Sequence, residues 1–201
     1  MPTRPLLILA TRNAHKTEEI RHILGDQFEV LDVTSFPDLP EIEETGTTFL
    51  ENARLKALGI SRRIDGWVLA DDSGLEVDAL GGAPGVWSSS YGGDEGNHAK
   101  NNERLMREMA GITERSARFR CTLVLAKNGA EKDFFTGTVE GRIAESPSGN
   151  GGFGYDPLFI PEGHFQTMAD LGAVIKSTLS HRAEAIRALV AAIETGNWVS
   201  F

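Results

Sequence analysis

Apolar residues fall along this chain in short continuous runs separated by helical stripes and polar turns. The run at 5–10 has the length and composition of one buried strand. A helix then runs to about Leu24, with Asn13 as N-cap, Ile20, Ile23 and Leu24 on one face and Gly25 as its stop. Residues 28–33 alternate apolar and polar and read as a second strand. Thr48-Phe49-Leu50-Glu51 is a capping-box signature, so a helix starts there, burying Phe49, Ala53, Ala57, Ile60 and Ile64. Trp67-Val68-Leu69-Ala70 predicts a buried strand that stops at Asp71-Asp72, with Ser73-Gly74 as a turn. Beyond a glycine-rich loop, 97–109 reads as a helix, and 117–126 and 134–143 as strands of a long hairpin turned at Asn128-Gly129. Leu158-Phe159-Ile160 is a short strand. The last helix starts after Ser180, buries Ala183, Ile186, Leu189, Val190 and Ile193, and is ended by Gly196.

Composition narrows the class. A length of 201 residues suits one large domain, or one domain of two lobes, with a proper core. A formal net charge of −9 disfavours a nucleic-acid polymer as partner, since binders of that class are normally basic. The single cysteine, Cys121, excludes an intramolecular disulfide and a Cys-rich zinc site, and its apolar surroundings make it a core residue. With no signal-peptide pattern and no apolar stretch of membrane length, a cytoplasmic protein without a membrane partner is expected.

Ligands of α/β sheets bind outside the carboxyl ends of strands, and the acid pair Asp71-Asp72 is expected at such an end. The segment Thr11, Arg12, Asn13, Ala14, His15, Lys16 puts cations in the first turn of a helix, where the dipole prefers anions. Lys176, His181 and Arg182 do so again at the last helix. Either these are solvated basic turns, or a polyanion is held between helix ends. Lys56 lies beside an apolar stripe and either snorkels to water or points into a site. Glu41-Ile42-Glu43-Glu44 faces water unless it meets Asp71 and Asp72 in space. If it does, Mg²⁺ could bridge carboxylates and phosphates. In the second glycine-dense loop, Phe153 and Tyr155 either stack on a nucleobase or anchor the loop to the core. No nucleophile-elbow pattern occurs, so hydrolysis by an activated water fits best.

Taken together, the chain resembles the inosine triphosphate pyrophosphatase family, the dITP/XTP pyrophosphatases of non-standard purine nucleoside triphosphates. The resemblance is carried, in order, by Thr11-x-Asn13-x-x-Lys16, Glu43-Glu44-Thr45-Gly46 with Phe49-x-Glu51-Asn52-Ala53, Ala70-Asp71-Asp72-Ser73-Gly74-Leu75, Gly81-Gly82-Ala83-Pro84-Gly85, Gly152-Phe153-Gly154-Tyr155-Asp156-Pro157 and Lys176-x-x-x-Ser180-His181-Arg182. It implies an α/β fold, an elongated mixed β-sheet flanked by helices, with two lobes and a cleft between them, all within one domain over 1–201. It further implies Mg²⁺-dependent cleavage of ITP, dITP or XTP to the monophosphate and pyrophosphate, in a homodimer. By resemblance Asp72 is the proton acceptor and a magnesium ligand, and Glu43 the other ligand. Thr11 to Lys16 and Lys56 are phosphate contacts, and Ser73 is a substrate contact. Phe153, Gly154, Tyr155, Asp156, Lys176, His181 and Arg182 form the purine and substrate pocket.

Two departures stand out. Ser88-Ser89-Ser90-Tyr91 lacks the arginine usual in the family before the tyrosine, and Ile175 replaces a usual glutamate. A pyrophosphatase for other modified nucleotides, or a nucleotide sensor without turnover, are the alternative functions. The roles of Asp71 and Asp72 stay undivided at this point, except that strand neighbours face opposite sides.

Overall fold

Residues 4–195 are described by the computed structural model, and their strands join into one six-stranded sheet of order β2-β1-β3-β4-β5-β6. Along the chain these are β1 (Leu6–Leu9), β2 (Glu29–Asp32), β3 (Trp67–Val77), β4 (Ser116–Lys127), β5 (Ala130–Ile143) and β6 (Phe159–Pro161). Five helices accompany them: α1 (Ala14–Leu24), α2 (Phe49–Ser61), α3 (His98–Glu108), α4 (Met168–Leu179) and α5 (His181–Glu194). β1 pairs in parallel with both β2 and β3, whereas β5 and β6 are antiparallel, so the sheet is mixed.

The chain divides into two compact units. The first takes the chain up to Asp72, Cys121–Gly137 and the chain from Arg182 onward; the second takes Ser73–Arg120 and Thr138–His181. In the first unit β1 is covered on both faces, which is why its sequence is a continuous apolar run and not an alternation. Leu7 and Leu9 join a cluster with Ile20 and Leu24 of α1 and Ile186 and Leu189 of α5. Ile8, between them, points into a separate cluster with Ala53, Ala57 and Ile60 of α2. The second unit packs Leu75, Val77, Leu105, Met109, Phe119, Ile143, Tyr155, Leu158 and Phe159 into its own core.

Helix termini follow the sequence closely. Asn13 caps α1 by accepting from the His15 and Lys16 amides, and Thr48 and Glu51 form the expected capping box of α2. Several expectations are corrected. β3 does not stop at the acid pair but continues through Asp71, Asp72 and Ser73-Gly74 to Val77, because the strand ladder satisfies the backbone and nearby cations answer the charges. The hairpin's second strand starts directly after the Asn128-Gly129 turn, at Ala130. Helix α4 was not anticipated; its backbone leaves helical geometry at Gly172 (φ 80°, ψ 171°), which breaks the apolar periodicity that would announce it. Ile64 lies beyond the end of α2. The expected stop at Gly196 is outside the described residues.

Candidate active site

Asp71 and Asp72 are successive residues of β3, so their side chains leave the strand on opposite sides. Asp71 is 2% exposed and meets Arg182 of α5 (Nε to Oδ2, 2.8 Å) and Lys16 of α1 (Nζ to Oδ1, 2.7 Å). The Cys121 thiol on β4 donates to the same carboxylate at 3.3 Å. Arg182 is itself 1% exposed and also pairs with Glu19. Burial works to raise Asp71, but Arg182 and then Lys16 outweigh it and hold the carboxyl well below its ordinary value. Burial, followed by the Asp71 charge, pushes the Cys121 thiol well up, which leaves it a donor and no nucleophile.

Asp72 meets a different set. Lys56, from the buried face of α2, reaches Asp72 Oδ1 at 3.1 Å and Glu44 Oε2 at 2.7 Å. Lys56 is 9% exposed, so it turns into the protein between two acids and does not snorkel to water. Burial pushes Asp72 up to about 6; Glu44 adds to the rise, and Lys56 and Lys16 oppose it. Glu44 also feels burial, yet Lys56 outweighs it and leaves that carboxyl lowered.

Asp72 Oδ2 is buried and no donor group reaches it, while the Glu44 carboxyl lies close enough to Asp72 to share a proton with it. A lone carboxylate oxygen shut away from water calls for a cation. Among the described residues no group of three or more His, Cys, Asp or Glu side chains could hold a metal by itself. The donor set, hard oxygens of Asp72 and Glu44, suits Mg²⁺, which takes one or two carboxylates and leaves its other positions to water and phosphate. Glu43, the expected ligand, and Glu44 are both exposed, and Glu44 is the residue of that pair that reaches Lys56.

Around Lys16 the Thr11–Lys16 turn is held by its own side chains. Thr11 Oγ1 accepts from the Asn13 amide at 3.1 Å, and Arg12 donates to the Leu39 carbonyl at 2.9 Å. Ala14 and His15 are exposed. Cations at the starts of α1 and α5 had suggested a bound polyanion. The structure answers much of that charge from within, through Asp71 and Glu19.

The remaining expected residues lie in the second unit. In the glycine-rich loop, Asp156 accepts from the Phe153 amide at 2.8 Å and pairs with Lys176, whose ammonium lies 4.6 Å from the Phe153 ring centre. Gly152 has φ of +70°, and a Cβ there would come within 2.0 Å of the Asp156 carboxylate, so the turn requires glycine. Tyr155 is 3% exposed and donates to the Ser88 carbonyl at 2.9 Å, which makes it an anchor of the loop. His181 stacks on Phe119 with ring centres 4.9 Å apart. Ser73 is half-buried on β3. Beside Ser90, Arg104 of α3 lies 4.1 Å over the Tyr91 ring and donates to the Tyr91 carbonyl. Ile175 is 38% exposed.

Sequence reasoning missed Glu19 and Cys121 as partners of this site. Glu19 carried one usable signal, its place three residues after Lys16 on the same helix face. Cys121 carried none.

The profile of the Ham1 family matches residues 7–192. A dITP/XTP pyrophosphatase of Shouchella clausii is 45% identical over 194 residues, covering 96% of this chain and 98% of its own. One from Listeria monocytogenes is 48% identical over 186 residues, covering 91% and 92%. Among solved structures, the Ham1 protein of Staphylococcus aureus superposes with a TM-score of 0.84 at 38% identity, covering 94% of this chain and 98% of that one. A nucleoside-triphosphatase, dITP/XTP pyrophosphatase, of Mycobacterium abscessus gives 0.75 at 36% identity, covering 92% and 98%.

Proposed function

The chain belongs to the Ham1 family, and from that premise we infer that it is a dITP/XTP pyrophosphatase, hydrolysing non-standard purine nucleoside triphosphates to the monophosphate and pyrophosphate. The observation that carries the mechanism is Asp72: a buried carboxyl, raised to about 6, with one unsatisfied oxygen beside Lys56 and Glu44. A carboxylate poised near neutral pH can take a proton from an attacking water. Lys16 and Lys56 neutralise the triphosphate, and electrostatic stabilisation of this kind is the main work in phosphoryl chemistry. Asp72, with the Glu43-Glu44 pair, would hold Mg²⁺, which when bound supplies further charge neutralisation on the phosphates. Asp71 and Arg182 support Lys16 from behind. The Thr11–Lys16 turn and Ser73 contact the substrate.

The base is met by Phe153, Gly154, Tyr155, Asp156, Lys176 and His181. A 6-oxo purine accepts a hydrogen bond where adenine's amino group donates one, and a buried donor left unpaired is costly. The whole chain acts as one domain and assembles as a homodimer.

Pyrophosphate release from ITP, dITP, XTP, ATP, GTP and dTTP tests the reading. Preference for the first three is expected. Equal turnover of ITP and dTTP would overturn the purine assignment, and full activity in EDTA would remove the metal role.

A further inference from the structure

We propose that Asn102, on α3, is a positioning residue for the Phe153–Asp156 loop and thereby sets how tightly the enzyme holds its purine. This rests on the reading that the loop meets the base. Asn102 Nδ2 donates to the Gly154 carbonyl at 3.1 Å. His98, four residues earlier on the same face of α3, puts its ring 6.0 Å from that of Phe153, tilted by 49°. One face of α3 thus contacts the loop at two successive residues.

Within the loop, Tyr155 is tied down through its hydroxyl and Asp156 through Lys176 and the Phe153 amide. Alongside these ties, the Gly154 carbonyl accepts from Asn102, and the Phe153 carbonyl accepts from the Asp156 amide at 3.3 Å. Gly154 has φ of +64°, and a Cβ built there would meet nothing within 4 Å, so no side-chain packing at that position fixes the peptide. Its carbonyl ties the loop to α3 next to the Phe153 ring, which His98 of the same helix also approaches.

The other end of the same amide argues against a merely structural role. Asn102 Oδ1 is buried and has no hydrogen-bond partner. Donation to a carbonyl fixes which end of the amide faces Gly154, so the orphan cannot be removed by flipping the group. A buried acceptor left unmade is unfavourable. Leucine, of similar size, would fill the site without that cost, yet could not hold Gly154. The asparagine trades local stability for a fixed loop, a pattern typical of functional positions.

The test compares Asn102→Leu and Asn102→Gln with the unaltered enzyme by thermal unfolding and by steady-state kinetics on dITP, XTP and dGTP. In Asn102→Leu the midpoint of unfolding should stay or rise, while KM for dITP and XTP rises about three- to ten-fold, the worth of one hydrogen bond. Its kcat should hold within about two-fold, because no interaction made only in the transition state is lost. Asn102→Gln, which keeps an amide donor, should recover part of the KM. A lower unfolding midpoint with unchanged KM would overturn the proposal in favour of packing alone. Phe153→Ala separates the two layers of inference. If it raises KM and weakens discrimination while Asn102→Leu does neither, the Asn102 proposal fails. If Phe153→Ala changes neither, the loop does not meet the base and the underlying reading fails.

Discussion

Asp71 and Asp72 share a strand and a chemical formula, and the protein treats them oppositely. Asp71 is buried among two cations and a thiol donor and is held ionised, far below the usual carboxylate range. Asp72 is buried beside one cation and a second carboxyl, with one oxygen unsatisfied, and is pushed up to about 6. A residue whose charge is fully answered cannot exchange protons near neutrality, whereas one whose charge is half answered can. The alternation of a β-strand is enough to divide the two tasks, anchoring and chemistry, between adjacent positions.

The hardest blow to this contrast is Asp72→Asn. Loss of the base should cut kcat/KM by about a thousand-fold or more, with pyrophosphate release as the measurement. The same change should leave stability at pH 7 equal or higher. A carboxyl raised in the folded state favours folding while protonated, and that contribution is lost as pH climbs from about 4 to about 6.

Asp71→Asn should do the reverse in stability. It takes a carboxylate away from the buried Arg182 and from Lys16, and should cost about 3–5 kcal/mol by denaturant unfolding. Because Asp71 is depressed in the folded state, its contribution is full above about pH 4 and is lost as pH falls through the lower folded value. The gap between variant and parent should therefore narrow in acid.

Lys56→Met removes a cation from Asp72 and from the phosphates, and should lower kcat by about a hundred-fold. It should also move the acid limb of the pH–rate profile to higher pH. Glu44→Gln removes the neighbouring negative charge, so the same limb should move the other way, to lower pH, by the smallest effect of the series. A limb indifferent to both would sever the link between Asp72 and its neighbours.

The sequence made some parts of this molecule legible and hid others for physical reasons. Caps are local, so Asn13 and Thr48 were readable: each depends on residues two or three positions away. Continuous apolar runs marked β1 and the start of β3 for the same reason. The extension of β3 through two aspartates was not readable, because it depends on Lys16, Arg182 and Lys56, which are remote in sequence. Likewise, the acidic character of the 41–44 cluster was plain, but which glutamate turns toward Lys56 is decided by the path of the loop. Motif order pointed to the family correctly; only coordinates show that Arg182 pairs with Asp71 and Glu19 while Lys56 pairs with Asp72 and Glu44.

That loop has one more consequence. A Cβ on Gly59 of α2 would lie 2.7 Å from the Ile42 side chain, and the Gly46 amide donates to Asn52 of the same helix at 2.8 Å. Glu43 and Glu44 are thus riveted at both flanks to the helix that carries Lys56. The conformational entropy of that acidic segment is surrendered during folding, so substrate capture need not surrender it again. A single added methyl, Gly59→Ala, would loosen one rivet and should surface as slower, weaker capture long before the fold itself gives way.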